Sequence, residues 1–335
     1  MRLPPYAVRR PLQLLGLALL VLLFPVLAGA AVLATLVRPR GLRPLRALAF
    51  LAVYLALELA GLLAALGLWV LSGCGLLLST QASRTRHYAV LNAVLATAVG
   101  AARALFRLRL VTDGAGWSPL DDGVPGSTNA MLVLCRHAGP GDSLLLVHTL
   151  LDRDHLRRPR IVLKDLLRWD PLVDVYLSRL PSSFLPPGGD TEQQVGALAD
   201  GLGAQDALLI FPEGGNTSPG RRRASVQRLR GKGLHAAADS AERMTHLLPP
   251  RPGGVLAALQ AAPHADVVFV AHAGLDHLSG LRELWSGLPM DGEVRLRWDF
   301  VPAAEVPREE QALVDWLYVR WGQMDGWVGA HTPAR

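Results

Sequence analysis

Lysine and cysteine are both scarce in this chain of 335 residues. Lys164 and Lys232 are the only lysines, and Cys74 and Cys135 the only cysteines. One cysteine lies in an apolar stretch and the other in a predicted buried strand, so a bridge between them is not expected. Neither belongs to a C-x-x-C pair, which argues against a zinc or dithiol redox site. Aromatic residues are 6% of the chain and show no pattern with the arginines that supply nearly all of its positive charge. The net charge of +6 therefore points away from nucleic acid and toward anionic headgroups or phosphates. Several signatures are also missing. No G-x-S-x-G elbow is present, which counts against an α/β-hydrolase. No phosphate-binding P-loop, dinucleotide-binding glycine fingerprint or H-E-x-x-H pair occurs.

Charge is also missing locally. From Pro11 to Val37 there are 27 residues without one, flanked by Arg9 and Arg10 before and Arg38 and Arg40 after. A bilayer needs about 20 apolar residues, and a signal peptide has a shorter hydrophobic region of roughly 7–15. A second apolar run, Ala47 to Leu78, is broken only by Glu58. The spacing predicts an N-terminal hydrophobic helical hairpin, with Glu58 snorkelling or bonding across it. Arginines are balanced between the connecting loop and the flanks, so the positive-inside rule does not decide the orientation. Residues 88–109 read either as an amphipathic link resting on the membrane or as an ordinary packing helix. The composition step divides the chain into an anchor, 1–83, and a folded domain, 84–335. Mean hydropathy, +0.26 overall, is concentrated in the first part.

Beyond residue 110, short aliphatic runs alternate with helical stretches. Ala130–Cys135, Arg160–Leu163, Ala207–Phe211 and Val267–Ala271 read as buried strands. Asp142–Leu151, Pro171–Leu180, Thr191–Leu202 and Ser225–Leu247 read as helices. This alternation predicts an α/β fold with a mixed, largely parallel sheet flanked by helices. Sites in such sheets form at the carboxyl ends of the strands. His137, Lys164 and Glu213 fall there.

Two segments carry chemistry. In Arg136-His137-Ala138-Gly139-Pro140-Gly141-Asp142-Ser143, a strand ends, a glycine- and proline-rich turn follows, and Asp142 stands at an expected helix N-cap. Across that corner the carboxylate reaches the imidazole, fixes its tautomer and raises the basicity of the other nitrogen. In Phe211-Pro212-Glu213-Gly214-Gly215-Asn216, a strand enters a glycine loop whose amides suit an anion. Arg221, Arg222 and Arg223 follow just beyond. His148, His272 and His277 read as satisfied polar groups rather than ligands.

The order H-x4-D, a lysine after the next strand, then F-P-E-G resembles the glycerolipid acyltransferases. These are the 1-acylglycerol-3-phosphate acyltransferases and their lysophospholipid relatives. The resemblance covers about residues 85–275. His246-Leu247-Leu248-Pro249-Pro250-Arg251 and Trp316-Leu317-Tyr318-Val319-Arg320-Trp321 look like a subgroup with an H-L-L-x-P-R block. The resemblance implies His137 as catalytic base, Asp142 as its partner, and Glu213 and Gly214 as the acceptor-binding pair. The implied donor is acyl-CoA or acyl carrier protein as co-substrate, with no cofactor and no metal. It also implies membrane lipids as partners and a membrane location with the site on the cytoplasmic face. The chain departs from the family pattern at Arg136 and Gly139, where Asn and Ser are usual. It also departs at Ser182–Pro187, which lacks the usual phosphate-binding arginine, and at Gly215 and Asn216. Lys164, Arg221 to Arg223 and Arg251 are the candidates to replace that arginine. The alternatives are a non-catalytic lipid-binding scaffold on the same fold and, lower, a membrane-bound hydrolase.

Overall fold

The computed structural model describes residues 3–37, 42–112, 129–139, 141–152, 157–186, 188–215, 217–275, 285 and 292–332. Arg38, Arg40, Pro140, Pro187, Asn216 and His277 lie outside the described residues. Aliphatic runs flanked by turns form the centre of one seven-stranded sheet. Its strands are β1 (Arg109–Thr112), β2 (Met131–Cys135), β3 (Arg158–Lys164), β4 (Ser182–Leu185), β5 (Asp206–Ile210), β6 (Asp266–Ala273) and β7 (Glu293–Val301). They lie in the order β1-β7-β6-β2-β5-β3-β4. Every neighbouring pair is parallel except β6–β7. The expected mixed, largely parallel sheet is therefore present.

Alternation along the strands sends side chains to two cores. Leu132 and Leu134 of β2 join one, built with α6 (Thr191–Ala199), α9 (Pro252–Ala261) and α10 (Glu310–His331). Met131, Val133 and Cys135 join the other, built with α3 (Gln81–Phe106), α4 (Asp142–Leu151) and α5 (Pro171–Arg179). Strands buried on both faces need continuous apolar sequence, which is why β2, β5 and β6 were legible. Three strands were not read from the sequence. β7 alternates Val294, Leu296 and Trp298 with Arg295, Arg297 and Asp299, the pattern of a half-buried strand. β1 and β4 are four-residue edge strands. The single helix expected over 225–247 is two, α7 (Pro219–Gly231) and α8 (His235–Arg243). Gly233, at φ 74°, makes the break, a left-handed turn that glycine adopts at little cost.

Three described helices are long and apolar enough to cross a membrane: α1 (Tyr6–Val37), α2 (Arg43–Leu71) and α3. That is compatible with membrane association. Their surroundings differ. In α3, Tyr88, Leu91 and Leu95 are buried in the core against the sheet, and the Tyr88 hydroxyl donates to the Pro159 carbonyl at 3.0 Å. One side of α3 therefore packs on the sheet, as the packing-helix reading of 88–109 expects. α2 buries Glu58, Gly61 and Ala65. Tyr176 donates its hydroxyl to the Gly61 carbonyl at 2.9 Å, and Arg179 Nη1 donates to that of Ala65 at 2.7 Å. Glu58 thus does not bond across the hairpin. It lies against Tyr54, Asp170 and the Leu172 backbone, at the start of α5. None of the most apolar window of α1 is buried. Its first turns dock by Arg9, whose Nη2 meets Asp174 Oδ2 at 3.0 Å with both side chains buried.

Candidate active site

β2 lies beside β5 on one side and β6 on the other, so the carboxyl ends of these three strands form one edge. The Arg136 side chain is fully buried there and its Nη1 donates to the His272 carbonyl at 2.6 Å. That bond ties the end of β2 to the end of β6. The chain then turns, and α4 begins at Asp142 with Gly141 as N-cap at φ 104°. The expected N-cap, Asp142, is instead the first helical residue. Its carboxylate folds back over the turn.

Five hydrogen bonds hold that carboxylate. Oδ2 accepts from His137 Nδ1 at 2.8 Å, Ala138 N at 3.0 Å and Gly139 N at 3.2 Å. Oδ1 accepts from Ser143 N at 2.7 Å and Ser143 Oγ at 3.3 Å. Asp142 is 1% exposed. Burial alone would raise its pKa. The His137 hydrogen bond, the electrostatic attraction of the His137 and His272 imidazoles and the Gly139 amide more than offset this and hold it below the ordinary carboxylate value. A carboxylate so held keeps the proton of His137 on Nδ1 and leaves Nε2 with its lone pair. The ring rests against Phe211, 4.9 Å between centroids.

The second segment closes on the first. Glu213 Oε1 accepts from the His137 backbone N–H at 3.2 Å. Its Oε2 accepts from Thr217 Oγ1 at 3.0 Å and Leu248 N at 3.4 Å. At 2% exposure this carboxylate faces inward and binds loop to loop, while Gly214 is exposed. Burial pushes its pKa up to about 7, against the lowering effects of the Arg136 charge, Thr217, and the amides of His137 and Leu248. A carboxyl whose folded pKa exceeds its unfolded value of 4.5 binds its proton more tightly in the native state. Its contribution to stability is full below the unfolded value and is lost as pH rises through about 7, about 3 kcal/mol in all. The stability of Glu213→Gln relative to wild type is therefore expected to rise by that amount across this window. Denaturant unfolding at a series of pH values checks it, and a flat difference would contradict it.

Arg251 N donates to the Pro212 carbonyl at 2.9 Å, which brings the H-L-L-x-P-R block onto the glycine loop. A Cβ on Gly214 would sit 3.0 Å from the Arg251 guanidinium, and one on Gly215 would sit 2.8 Å from Arg221 Nη1. Two arginines thus lie over the loop, and Gly214, at φ 67°, takes a left-handed conformation that glycine adopts at little cost. Desolvation, then the charges of Arg228 and Arg221, hold Arg251 below its ordinary pKa. Arg222 faces away, its Nη1 donating to the carbonyls of Met244 and Thr245.

Among the candidates read from the sequence, the structure thus brings together His137, Asp142, Glu213, Gly214, Arg221 and Arg251. Lys164 stands apart. It is exposed at the end of β3, with β5 between it and β2. His148 is half-buried on α4. His272 was underrated: it is buried and its Nε2 lies 3.8 Å from Asp142 Oδ2. The pairing of β6 with β2 places it there, which a lone histidine after a strand does not reveal. The Cys135 thiol, raised well above its ordinary pKa by burial, is unreactive. No group of three or more His, Cys, Asp and Glu that could hold a metal ion occurs among the described residues.

A family model described as Acyltransferase matches residues 122–273. The match takes in the His137–Asp142 corner, the Glu213 loop and Arg251, and it ends with the last residue of β6. No curated protein and no solved structure matches the chain. The strand–turn–helix corner, the glycine loop and this match converge on one assignment: residues 122–273 form an acyltransferase-family domain, which supports a general acyltransferase activity.

Proposed function

We propose that this chain transfers a fatty acyl group from a thioester, acyl-CoA or acyl carrier protein, to the hydroxyl of a lysophospholipid such as 1-acylglycerol-3-phosphate. The observation that carries the reading is the 2.8 Å His137–Asp142 contact, with the carboxylate buried and held by four further bonds. His137 Nε2 takes the proton of the acceptor hydroxyl as its oxygen attacks the thioester carbonyl carbon. The developing imidazolium is stabilised by Asp142. The tetrahedral intermediate collapses by breaking the C–S bond, and sulfur leaves with the proton from His137. The products are an ester and a free thiol, and no acyl-enzyme forms.

Glu213 acts through the loop it holds, since its carboxylate is turned inward. Gly214 presents the exposed backbone to the acceptor, and Arg251 with Arg221 supplies the phosphate clamp absent from Ser182–Pro187. Lys164 has a weaker claim, standing two strands from β2. Residues 1–83 serve as the anchor and 84–335 as the catalytic domain. The site works on the cytoplasmic face, where the water-soluble donors are found.

Purified full-length protein in lipid vesicles, given each donor with a panel of acceptors, tests this by mass spectrometry. A phosphorylated lyso-acceptor should be acylated in preference to a monoacylglycerol. Arg251→Ala should raise KM for it about tenfold with kcat little changed, the loss of one charge-assisted hydrogen bond. Equal use of the neutral acceptor would remove the clamp. No transfer with any pair would favour the lipid-binding scaffold.

A further inference from the structure

Between β3 and α5 the chain makes a single 3-10 turn, Asp165–Trp169. β3 runs parallel to β5, and β5 to β2, so this turn leaves the same edge of the sheet as His137. Its side chains are unusual for that place. Leu166 is 69% exposed, Leu167 46% and Trp169 40%. Leu144, on the first turn of α4 beside Asp142, is 52% exposed. An exposed run of large apolar side chains marks an interaction surface.

The turn is bound to the start of α1. Gln13 Nε2 donates to the Arg168 carbonyl, and Arg10 Nη1 to the Pro171 carbonyl at 3.5 Å. Just along α1, Leu12, Leu14, Leu15 and Leu19 are all exposed. A helix apolar on every side, with none of its most hydrophobic window buried, is accommodated by lipid. The leucines of the turn continue that surface. Trp169 and the exposed Lys164 add the aromatic and cationic side chains that settle at the headgroup level. The ends of the turn are fixed: Arg168 pairs with Asp165 at 3.2 Å, and Tyr54 of α2 donates to Asp170 Oδ2 at 3.0 Å.

We infer that the Asp165–Trp169 turn inserts into the bilayer interface beside α1 and turns the carboxyl edge of the sheet, His137 included, toward the lipid. The occupant is a phospholipid bilayer. A hydroxyl-bearing lipid then reaches the site without leaving the membrane. The inference stands on the contact between α1 and the turn and not on the acyl-transfer reading.

A depth probe tests it in the full chain. In a Cys74→Ser background Cys135 stays buried, so an introduced cysteine takes an environment-sensitive fluorophore alone. Leu166→Cys carries the probe. Val319→Cys, exposed on α10 across the sheet, is the control. In phosphatidylcholine–phosphatidylglycerol vesicles, the label at 166 should shift to the blue and be quenched by lipids brominated high on the acyl chain. The label at 319 should show neither. Leu167→Cys should repeat the result at 166. Quenching at 166 no greater than at 319 would overturn the inference, whatever the protein acylates.

Discussion

Asp142→Asn is expected to lower kcat for acyl transfer by about 10³–10⁴-fold, the loss that follows when a histidine base is left in the wrong tautomer. Wild-type Oδ2 accepts three hydrogen bonds and Oδ1 two. An amide has one acceptor oxygen, and its NH₂ must face donors on one side or the other. Placed toward His137, it offers a proton to Nδ1 and moves the ring proton to Nε2, the atom that has to accept one. Placed toward Ser143, it opposes the Ser143 N–H and leaves that partly buried donor unpaired. Single-turnover kinetics in vesicles, with circular dichroism to establish the fold, measures this. An Asn variant that turns over like wild type would remove Asp142 from the chemistry.

The second large effect is on stability. Asp174 on α5 is 1% exposed. It accepts from Arg9 Nη2 at 3.0 and 3.3 Å and lies 3.3 Å from Arg10 Nη2. Removing one partner of a buried pair strands the other, at a cost of about 3–5 kcal/mol, whereas replacing both by apolar groups is often neutral. Asp174→Ala should therefore loosen α1 from α5. Denaturation in detergent should place it well below wild type, and Arg9→Met with Asp174→Leu should recover most of the loss. If Asp174→Ala is as stable as the double variant, the pair does not hold α1 in place.

What the sequence revealed followed from how strongly burial constrains it. β2, β5 and β6 are covered on both faces and carry unbroken apolar runs through their centres, so they stood out. β7 carries Arg295, Arg297 and Asp299 on the less buried side and resembled a polar connection. Hydropathy could not separate α1 from α3. Both are apolar, and what tells them apart is that α3 packs one side, with Tyr88, Leu91 and Leu95, on the core while none of the apolar window of α1 is buried. In the site, His137 and Asp142 were legible because a glycine-rich turn between strand and helix leaves few ways for the chain to pass. Glu213 follows the end of β5, and its carboxylate accepts from the amides of His137 and Leu248. The sequence cannot tell a carboxylate facing a substrate from one facing His137 N and Leu248 N. Arg251 and Arg221 came together through the Arg251–Pro212 backbone bond, a contact between segments 39 residues apart.

The family match and the geometry meet at His137. Release of free thiol from acyl-CoA by the full-length protein in vesicles, with and without a lysophosphatidic acid acceptor, tests that centre most directly. Wild type should release thiol only when the acceptor is present, and His137→Ala should reduce the release by at least about 10³-fold, more than general acid–base catalysis alone commonly supplies at its lower end. A His137→Ala protein that retained most of the acceptor-dependent release would contradict the account.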